Sequence, residues 1–108
     1  MGAPPVTPDG RYIVVVGKAG PRLWRASNPN LPDAERAKWV ASLMHARRKV
    51  REARGKPGEL REARLSVEVA KRALGERGPV WWNDGAPDLN RRLVRNSPYA
   101  SWWGGEQR

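Results

Sequence analysis

The chain has 108 residues, no cysteine, one histidine and no phenylalanine, and its 21 lysines and arginines against 11 acids give a net charge of +10. The length predicts one small domain with a thin core, and the missing cysteines exclude disulfides, thiolate catalysis and cysteine-based zinc sites. The charge favours an anionic partner, either nucleic acid (DNA or RNA) or an acidic protein surface.

The N-terminal quarter of the chain predicts a disordered segment and then a β-hairpin. Residues 1–10 are rich in proline and glycine, which predicts disorder. The β-branched run at 11–16 and "RLWRAS" at 22–27 predict two strands joined by the five-residue turn "GKAGP". Because a lone hairpin is only marginally stable in water, we expect it to pack on another element.

Two helices are predicted next, one over about 31–54 with Asn30 as its N-cap, and one over about 59–75 that ends near Gly75. Both carry apolar residues at heptad spacing, so together they predict an antiparallel helical hairpin. The first seam comprises Trp39, Leu43, Ala46, Val50 and Ala53, widened by Val40 and Met44, and the second comprises Leu60, Ala63, Val67, Ala70 and Leu74.

The second helix also has an apolar stripe on the side opposite its seam, formed by Leu65, Val69 and Ala73. A helix that is apolar on two sides is expected to be sandwiched between other elements. The β-hairpin and the C-terminal tryptophans are the candidates to cover this stripe.

The rest of the chain predicts a loop over 79–87, a short third helix over 87–96 and a tryptophan-rich tail whose last residues, 104–108, fray. The sequence therefore predicts an α+β fold, with an N-terminal β-hairpin packed on the antiparallel helical hairpin, a short third helix and the tail. Residues 11–103 are expected to form one small domain.

The densest positive charge lies at residues 47–56, at the end of the first helix. A helical wheel places four arginines in one stripe beside the seam, which could follow a phosphate backbone. Alternatively, acids of the second helix could neutralise the stripe, or the arginine stems could cover apolar surface. The stripe is Arg36, Arg47, Arg51 and Arg54, the other cations of the cluster are Arg48, Lys49 and Lys56, and the acids are Glu59, Glu62 and Glu68.

A second candidate site combines cations with aromatic rings, as proteins that bind single-stranded nucleic acid do. Its arginines stand between two tryptophan pairs, and the rings could instead fill the core. Because adjacent side chains of an extended segment point apart, we expect one ring of each pair in the core and its neighbour as a contact. The residues are Arg91, Arg92 and Arg95 with Trp81, Trp82, Trp102 and Trp103.

The loop from Trp81 to Asp88 contains two carboxylates close to aromatic residues. Asp84 and Asp88 could do acid–base chemistry, but a turn residue and a helix N-cap are simpler roles for them. The sequence shows no nucleophilic constellation and no metal-ligand spacing. It therefore predicts no catalytic residue, no cofactor and no metal.

Three stretches, "RYIVVVG…LWRASNP", "LMHARRKV" and "ALGERGPVWWNDGAPDLNR…NSPYASW", resemble a family of small bacterial proteins over about residues 11–103. Some members carry the label biopolymer transporter Tol, which implies a membrane or envelope role. This chain departs from that role, because no apolar run approaches the roughly 18 residues of a membrane span and its N-terminus lacks a signal-peptide pattern. We expect a soluble cytoplasmic protein.

Three functions stay open at this point. The sequence favours a small basic protein that binds nucleic acid largely without sequence specificity and depends steeply on salt. The first alternative is a protein-interaction module or homodimer that uses exposed tryptophans and the second apolar stripe. The other alternative is an enzyme or small-molecule binder at the Trp81–Asp88 loop, with a tryptophan-walled pocket and shifted carboxylate pKa values.

Overall fold

A computed structural model describes residues 3–106, with side chains described for residues 3–104. Its elements are β1 (Tyr12–Gly17), β2 (Gly20–Arg25), α1 (Asp33–Glu52), α2 (Pro57–Leu74), a 3-10 helix (Val94–Asn96) and α3 (Ala100–Glu106). This order confirms the predicted α+β class. The parts of the sequence predictions that concern residues 1, 2, 107 and 108 lie outside the described residues.

Contacts along the chain cluster into two compact units. One comprises residues 3–26 with 82–106 and is called the hairpin unit; the other comprises residues 27–81 and is called the helical unit. No helix within residues 3–106 is long and apolar enough to cross a membrane.

The two strands of the hairpin unit are antiparallel, and Gly17 pairs directly with Gly20. The turn therefore contains only Lys18 and Ala19, and the prediction of a five-residue turn is wrong. Gly20 has a φ of +116°, a conformation that favours glycine, so β2 begins directly after Ala19. The ladder therefore includes Gly17, Gly20 and Pro21, which the prediction placed in the turn.

The segment before β1 is held against that strand, whereas the sequence predicts disorder over 1–10. The N–H of Thr7 donates to the carbonyl of Tyr12 at 2.9 Å, and the N–H of Val14 donates to the carbonyl of Pro5 at 2.9 Å. The side chain of Thr7 is buried. These hydrogen bonds to β1 order a proline-rich segment whose own sequence has no strand or helix pattern.

The core of the hairpin unit lies between the inner face of the hairpin and the C-terminal segment. Its buried residues are Tyr12, Val14, Leu23, Leu89 and Val94, and the half-buried rings packed on them are Trp82, Tyr99, Trp102 and Trp103. The ring of Tyr12 meets those of Trp82 and Tyr99 edge-on, with centroids 5.7 Å apart in both pairs. Tryptophans thus supply much of the bulk of this small core.

The predicted third helix over 87–96 is wrong in position. Leu93 forms an isolated bridge with Arg22 of β2, and only residues 94–96 form a single 3-10 turn. The short third helix is α3, in the segment predicted to be a tail. The open edge of β2 offers backbone hydrogen bonds to residues 91–93, and this long-range pairing overrides their local helical pattern.

In the helical unit, α1 and α2 pack through the two predicted heptad seams. Leu43, Ala70 and Leu74 form the buried cluster, and the half-buried Leu31, Trp39 and Val67 pack against it. The seam alanines Ala46, Ala53 and Ala63 are also buried. Val40 and Met44 are 42% and 52% exposed, so they do not widen the seam as predicted.

The helix ends follow the sequence except at the start of α1. Pro32 stands at the N-cap position without a side-chain hydrogen bond, so the prediction of Asn30 as the cap is wrong. The backbone N–H of Asn30 instead donates to the side chain of Asn28 at 2.9 Å, which forms a turn before the helix. Gly75 ends α2 in the left-handed conformation, at φ +86°.

Two residues of the second apolar stripe of α2 are exposed, and the third, Ala73, is half-buried. Leu65 and Val69 are 60% and 55% exposed. The expected cover by tryptophans fails because Trp82, Trp102 and Trp103 pack on the core of the hairpin unit.

Candidate nucleic-acid interface

The two helices of the helical unit leave a groove on each side of their shared seam. One groove, called the arginine groove, has a volume of about 510 Å³ and is lined by Arg47, Val50, Arg51, Arg64, Val67 and Arg77. The other, called the mixed groove, has a volume of about 520 Å³ and is lined by Ser42, His45, Ala46, Lys49, Glu52, Ala53, Lys56, Glu59, Glu62, Ala63 and Ser66.

Four arginines and two valines line the arginine groove. Arg47 and Arg51 lie one turn apart on α1, and Arg64 comes from α2. The valines are Val50 and Val67, both half-buried. No carboxylate among the described side chains lines this groove, so the charged residues of its lining are all cations.

Arg77 reaches the groove from the segment that follows α2. Its guanidinium donates to the Glu68 carboxylate at 2.5 Å, and Arg72 donates to the other oxygen of that carboxylate at 3.0 Å. The hydrogen bond from Arg77 holds the pKa of Glu68 below its usual value of 4.5. Glu68 therefore stays ionised and fixes Arg77 at the end of the groove.

The alternative in which acids of α2 pair with the arginine stripe has no ion pair behind it among the described side chains. Glu68 pairs with Arg72 and Arg77, and Glu59 lies 3.8 Å from Lys56. Across the part of the chain whose side chains are described, none of the three groove arginines on α1 and α2 makes an ion pair. These three are Arg47, Arg51 and Arg64.

The structure divides the predicted cation cluster. Of its members only Arg47 and Arg51 line the arginine groove, whereas Lys49 and Lys56 line the mixed groove among three acids. The others lie elsewhere on the helical unit: Arg36 donates to the carbonyl of Asn28 at 2.7 Å, and Arg48 and Arg54 are exposed and line neither groove.

Sequence reasoning missed Arg64 and Arg77. Arg64 follows the seam residue Ala63 just as Arg47 follows Ala46, so both occupy the same position of their heptads. In an antiparallel pair of helices, equal positions beside the seam face each other, and this signal could have found Arg64. Nothing in the local pattern points to Arg77, which depends on the chain path after Gly75.

The predicted arginine–tryptophan site is arranged differently. Within the hairpin unit, the rings of Trp82, Trp102 and Trp103 are all half-buried against the core. The expectation that the rings of Trp102 and Trp103 point apart is therefore wrong. That expectation assumed an extended segment, whereas both residues lie on α3. Trp81 is half-buried in the helical unit, close to Gly75.

The three arginines of that predicted site also separate from these rings. The guanidinium of Arg91 lies 5.7 Å from the ring centre of Trp24, and Arg95 donates to the carbonyl of Ala19 at 3.3 Å, beside the hairpin turn. Arg92 is exposed. Arg91 therefore has an aromatic partner in β2 and not in the predicted tryptophan pairs.

The two carboxylates of the Trp81–Asp88 loop act as structural groups. Asp84 pairs with Arg11 and accepts the N–H of Ala86 at 3.0 Å. Asp88 lies 3.4 Å from Arg25 and closes a turn rather than capping a helix. The hydrogen bond from Arg11 lowers the pKa of Asp84, which is the opposite of what a general acid requires.

No group of three or more histidine, aspartate or glutamate side chains in residues 3–104 could hold a metal ion. No protein-family model matches the chain, and no curated protein and no solved structure matches it either. The resemblance to a family of small bacterial proteins thus stays a prediction. Function rests on the chain's own geometry.

Proposed function

We propose that this protein binds nucleic acid without sequence specificity, through phosphate contacts made by the arginine groove. The observation that carries this proposal is the convergence of four arginines on one groove that no described carboxylate lines. Guanidinium groups suit phosphate because their planar forks can donate two parallel hydrogen bonds to its oxygens.

The packing of the two helices that carry the groove also supports phosphate binding. Arg47, Arg51 and Arg64 project from two packed helices, so their backbone positions are fixed before a ligand arrives. Contacts to phosphates position a protein on nucleic acid without reading bases. We therefore propose that this groove binds DNA and RNA in the same way. We also propose that the protein acts in the cytoplasm.

A second candidate function is favoured by one observation, the exposed apolar stripe of α2. Leu65 and Val69 are more than half exposed on one helix face. Such a stripe is typical of a protein-interaction surface, including one between two copies of the chain. This function predicts a molecular mass that rises with concentration and depends little on salt.

The proposed function is tested by the salt dependence of binding to a short labelled DNA duplex, measured by fluorescence anisotropy between about 50 and 200 mM salt. We compare the wild type with R47Q/R51Q and with K49Q/K56Q. Both double variants remove two positive charges, the first from the arginine groove and the second from the mixed groove.

For the wild type we expect log K to fall linearly with log salt, by about 0.9 for each phosphate contact. R47Q/R51Q should bind more weakly and with a shallower slope, and K49Q/K56Q should lose clearly less. Equal losses in the two double variants would show that only net charge matters and would rule out the groove. No binding at the lowest salt would rule out the function itself.

A further inference from the structure

Trp24 occupies the outer face of the β-hairpin, where it pairs across the strands with Ile13. Its ring is half-buried, and its indole N–H has no hydrogen-bond partner among the described residues. Two other tryptophans differ from it, since Trp39 donates to Glu35 at 3.1 Å and Trp82 donates to a backbone carbonyl at 2.8 Å. Trp24 thus keeps part of its surface accessible and has an indole donor that no described residue uses.

Beside Trp24 the chain bulges against the edge of β2. The carbonyl of Leu23 accepts the N–H of Arg91 at 2.7 Å, and the N–H of Leu23 donates to the carbonyl of Arg92 at 2.9 Å. Arg91 and Arg92 therefore both lie opposite Leu23, and two residues opposite one is the pattern of a β-bulge. Bulges re-aim a side chain, and this one places the guanidinium of Arg91 5.7 Å from the ring centre of Trp24.

Arg91 adopts a backbone conformation that favours glycine. Its φ is +74°, and within the described chain it is the sole residue other than glycine with a positive φ. A side chain is strained in this region, and such strain persists only where surrounding contacts hold it. Here Arg22 donates to the carbonyl of Arg91 at 2.7 Å and helps to hold the bulge. Glycine would adopt this conformation with less backbone strain than the arginine that occupies it.

We propose that Trp24 and Arg91 form a stacking site for one base of a single-stranded nucleic acid. Single-strand binding combines aromatic platforms for bases with cations for the backbone, and a guanidinium can also lie against a base. Arg22, whose guanidinium donates to the carbonyl of Arg91, supplies further positive charge close to this pair. The inference rests on the proposed function for its ligand class, but it uses other residues and a contact that duplex DNA does not offer.

The test compares a short oligothymidine with an abasic oligonucleotide of the same length, because the two share their phosphates and differ only in bases. Binding is measured for the wild type, Trp24→Leu, Arg91→Gly and Arg92→Gly, with far-ultraviolet circular dichroism as the check on folding. The readout is the ratio of the two affinities, which phosphate contacts alone do not change. Duplex binding is measured in parallel.

The wild type should bind oligothymidine at least roughly fivefold more tightly than the abasic strand. Trp24→Leu should remove most of this ratio, and Arg91→Gly should reduce it by about two- to fivefold. Arg91→Gly should fold normally, because glycine relieves the left-handed strain. Arg92→Gly removes the same charge and should weaken both complexes alike, with the ratio kept.

Equal binding of the two strands by the wild type would overturn the stacking site and leave the arginine groove intact. A ratio that survives in a folded Trp24→Leu variant would overturn it as well. If Trp24→Leu does not fold, Arg91→Gly decides, and an unchanged ratio in that variant rejects the site. Failure of the duplex and both single strands to bind would remove the proposed function together with this inference.

Discussion

The arginine groove and the mixed groove lie on the two sides of one helical hairpin and rest on the same apolar seam. Their volumes are nearly equal, about 510 and 520 Å³. Their charges differ, because one is lined by four arginines without a described carboxylate and the other by three glutamates, two lysines and a histidine. Shape alone therefore does not distinguish the candidate interface; the difference is electrostatic.

The difference follows from the heptad positions beside the seam. Arg47 and Arg64 each come directly after a seam alanine, whereas Lys49 and Glu59 each come directly before a seam residue. In an antiparallel hairpin the first kind of position faces its equivalent on one side and the second kind on the other. One side can thus become uniformly basic while the other alternates in sign, with no change in the packed seam.

The largest effect is expected from the seam that supports both grooves. Leu74→Ala removes a side chain that is 1% exposed, and it should lower the free energy of unfolding by about 2–5 kcal/mol. Leu65→Ala is the matched control on the same helix, with a side chain that is 60% exposed, and it should change stability by less than about 0.5 kcal/mol. Urea unfolding followed by circular dichroism measures both, and similar losses would contradict the assigned seam.

Reversing one charge should make the arginine groove resemble the mixed groove. Arg64→Glu places a carboxylate opposite Arg47 and Arg51, so duplex binding should weaken and the salt slope should fall by about 1 or more. Arg61→Glu makes the same charge change on the same helix outside this groove, and it should have a smaller effect. Anisotropy titrations at several salt concentrations measure the slopes, and equal slopes for the two variants would argue against the groove.

Replacing an acid of the mixed groove by an arginine should allow that groove to bind phosphate as well. Glu62→Arg replaces an exposed acid there, which makes its lining predominantly basic beside Lys49 and Lys56. We expect tighter binding and a salt slope steeper by about 1. Glu62→Gln should give a smaller gain, since it only removes the negative charge. A slope unchanged in both variants would mean that the mixed groove lies away from the bound phosphates.

The smallest expected effect is on the pH dependence of the folding stability, to which Glu68 contributes through its ion pair with Arg77. Since ion pairs with Arg77 and Arg72 lower the pKa of Glu68 in the folded chain, its stabilising contribution is present above its usual pKa of 4.5. That contribution is lost as the pH falls through the lowered value. Urea midpoints measured from neutral to acidic pH should therefore fall less steeply for Glu68→Gln, and parallel curves would contradict the assigned ion pairs.

Much of the helical unit could be predicted from the sequence. The seam residues recur at heptad spacing, and the helix ends carry signals such as Pro57 and Gly75, so local periodicity was enough. The facing of Arg47 and Arg64 also lies in that spacing, although it is visible only when the two helices are aligned antiparallel. Arg77 could not be placed, because a single left-handed glycine sets the path of the chain that follows it.

In the hairpin unit, contacts between distant segments override the local sequence patterns. Residues 87–96 have a helical pattern, yet the edge of β2 draws Arg91 and Arg92 into backbone hydrogen bonds with Leu23. The partner of Arg91 is Trp24, more than 60 residues earlier in the chain. No window of sequence contains both residues, and the bulge that joins them uses an arginine where sequence patterns lead one to expect glycine.

By itself the sequence determined the α+β class, the two strands, the two helices and their seams, because these depend on periodicities and end signals within short windows. Only the tertiary structure decided which cations line one groove, which tryptophans pack on a core and which ring lies beside Arg91. Those outcomes depend on backbone hydrogen bonds and packing between distant segments, whose free energies outweigh the weak local preferences of the residues involved.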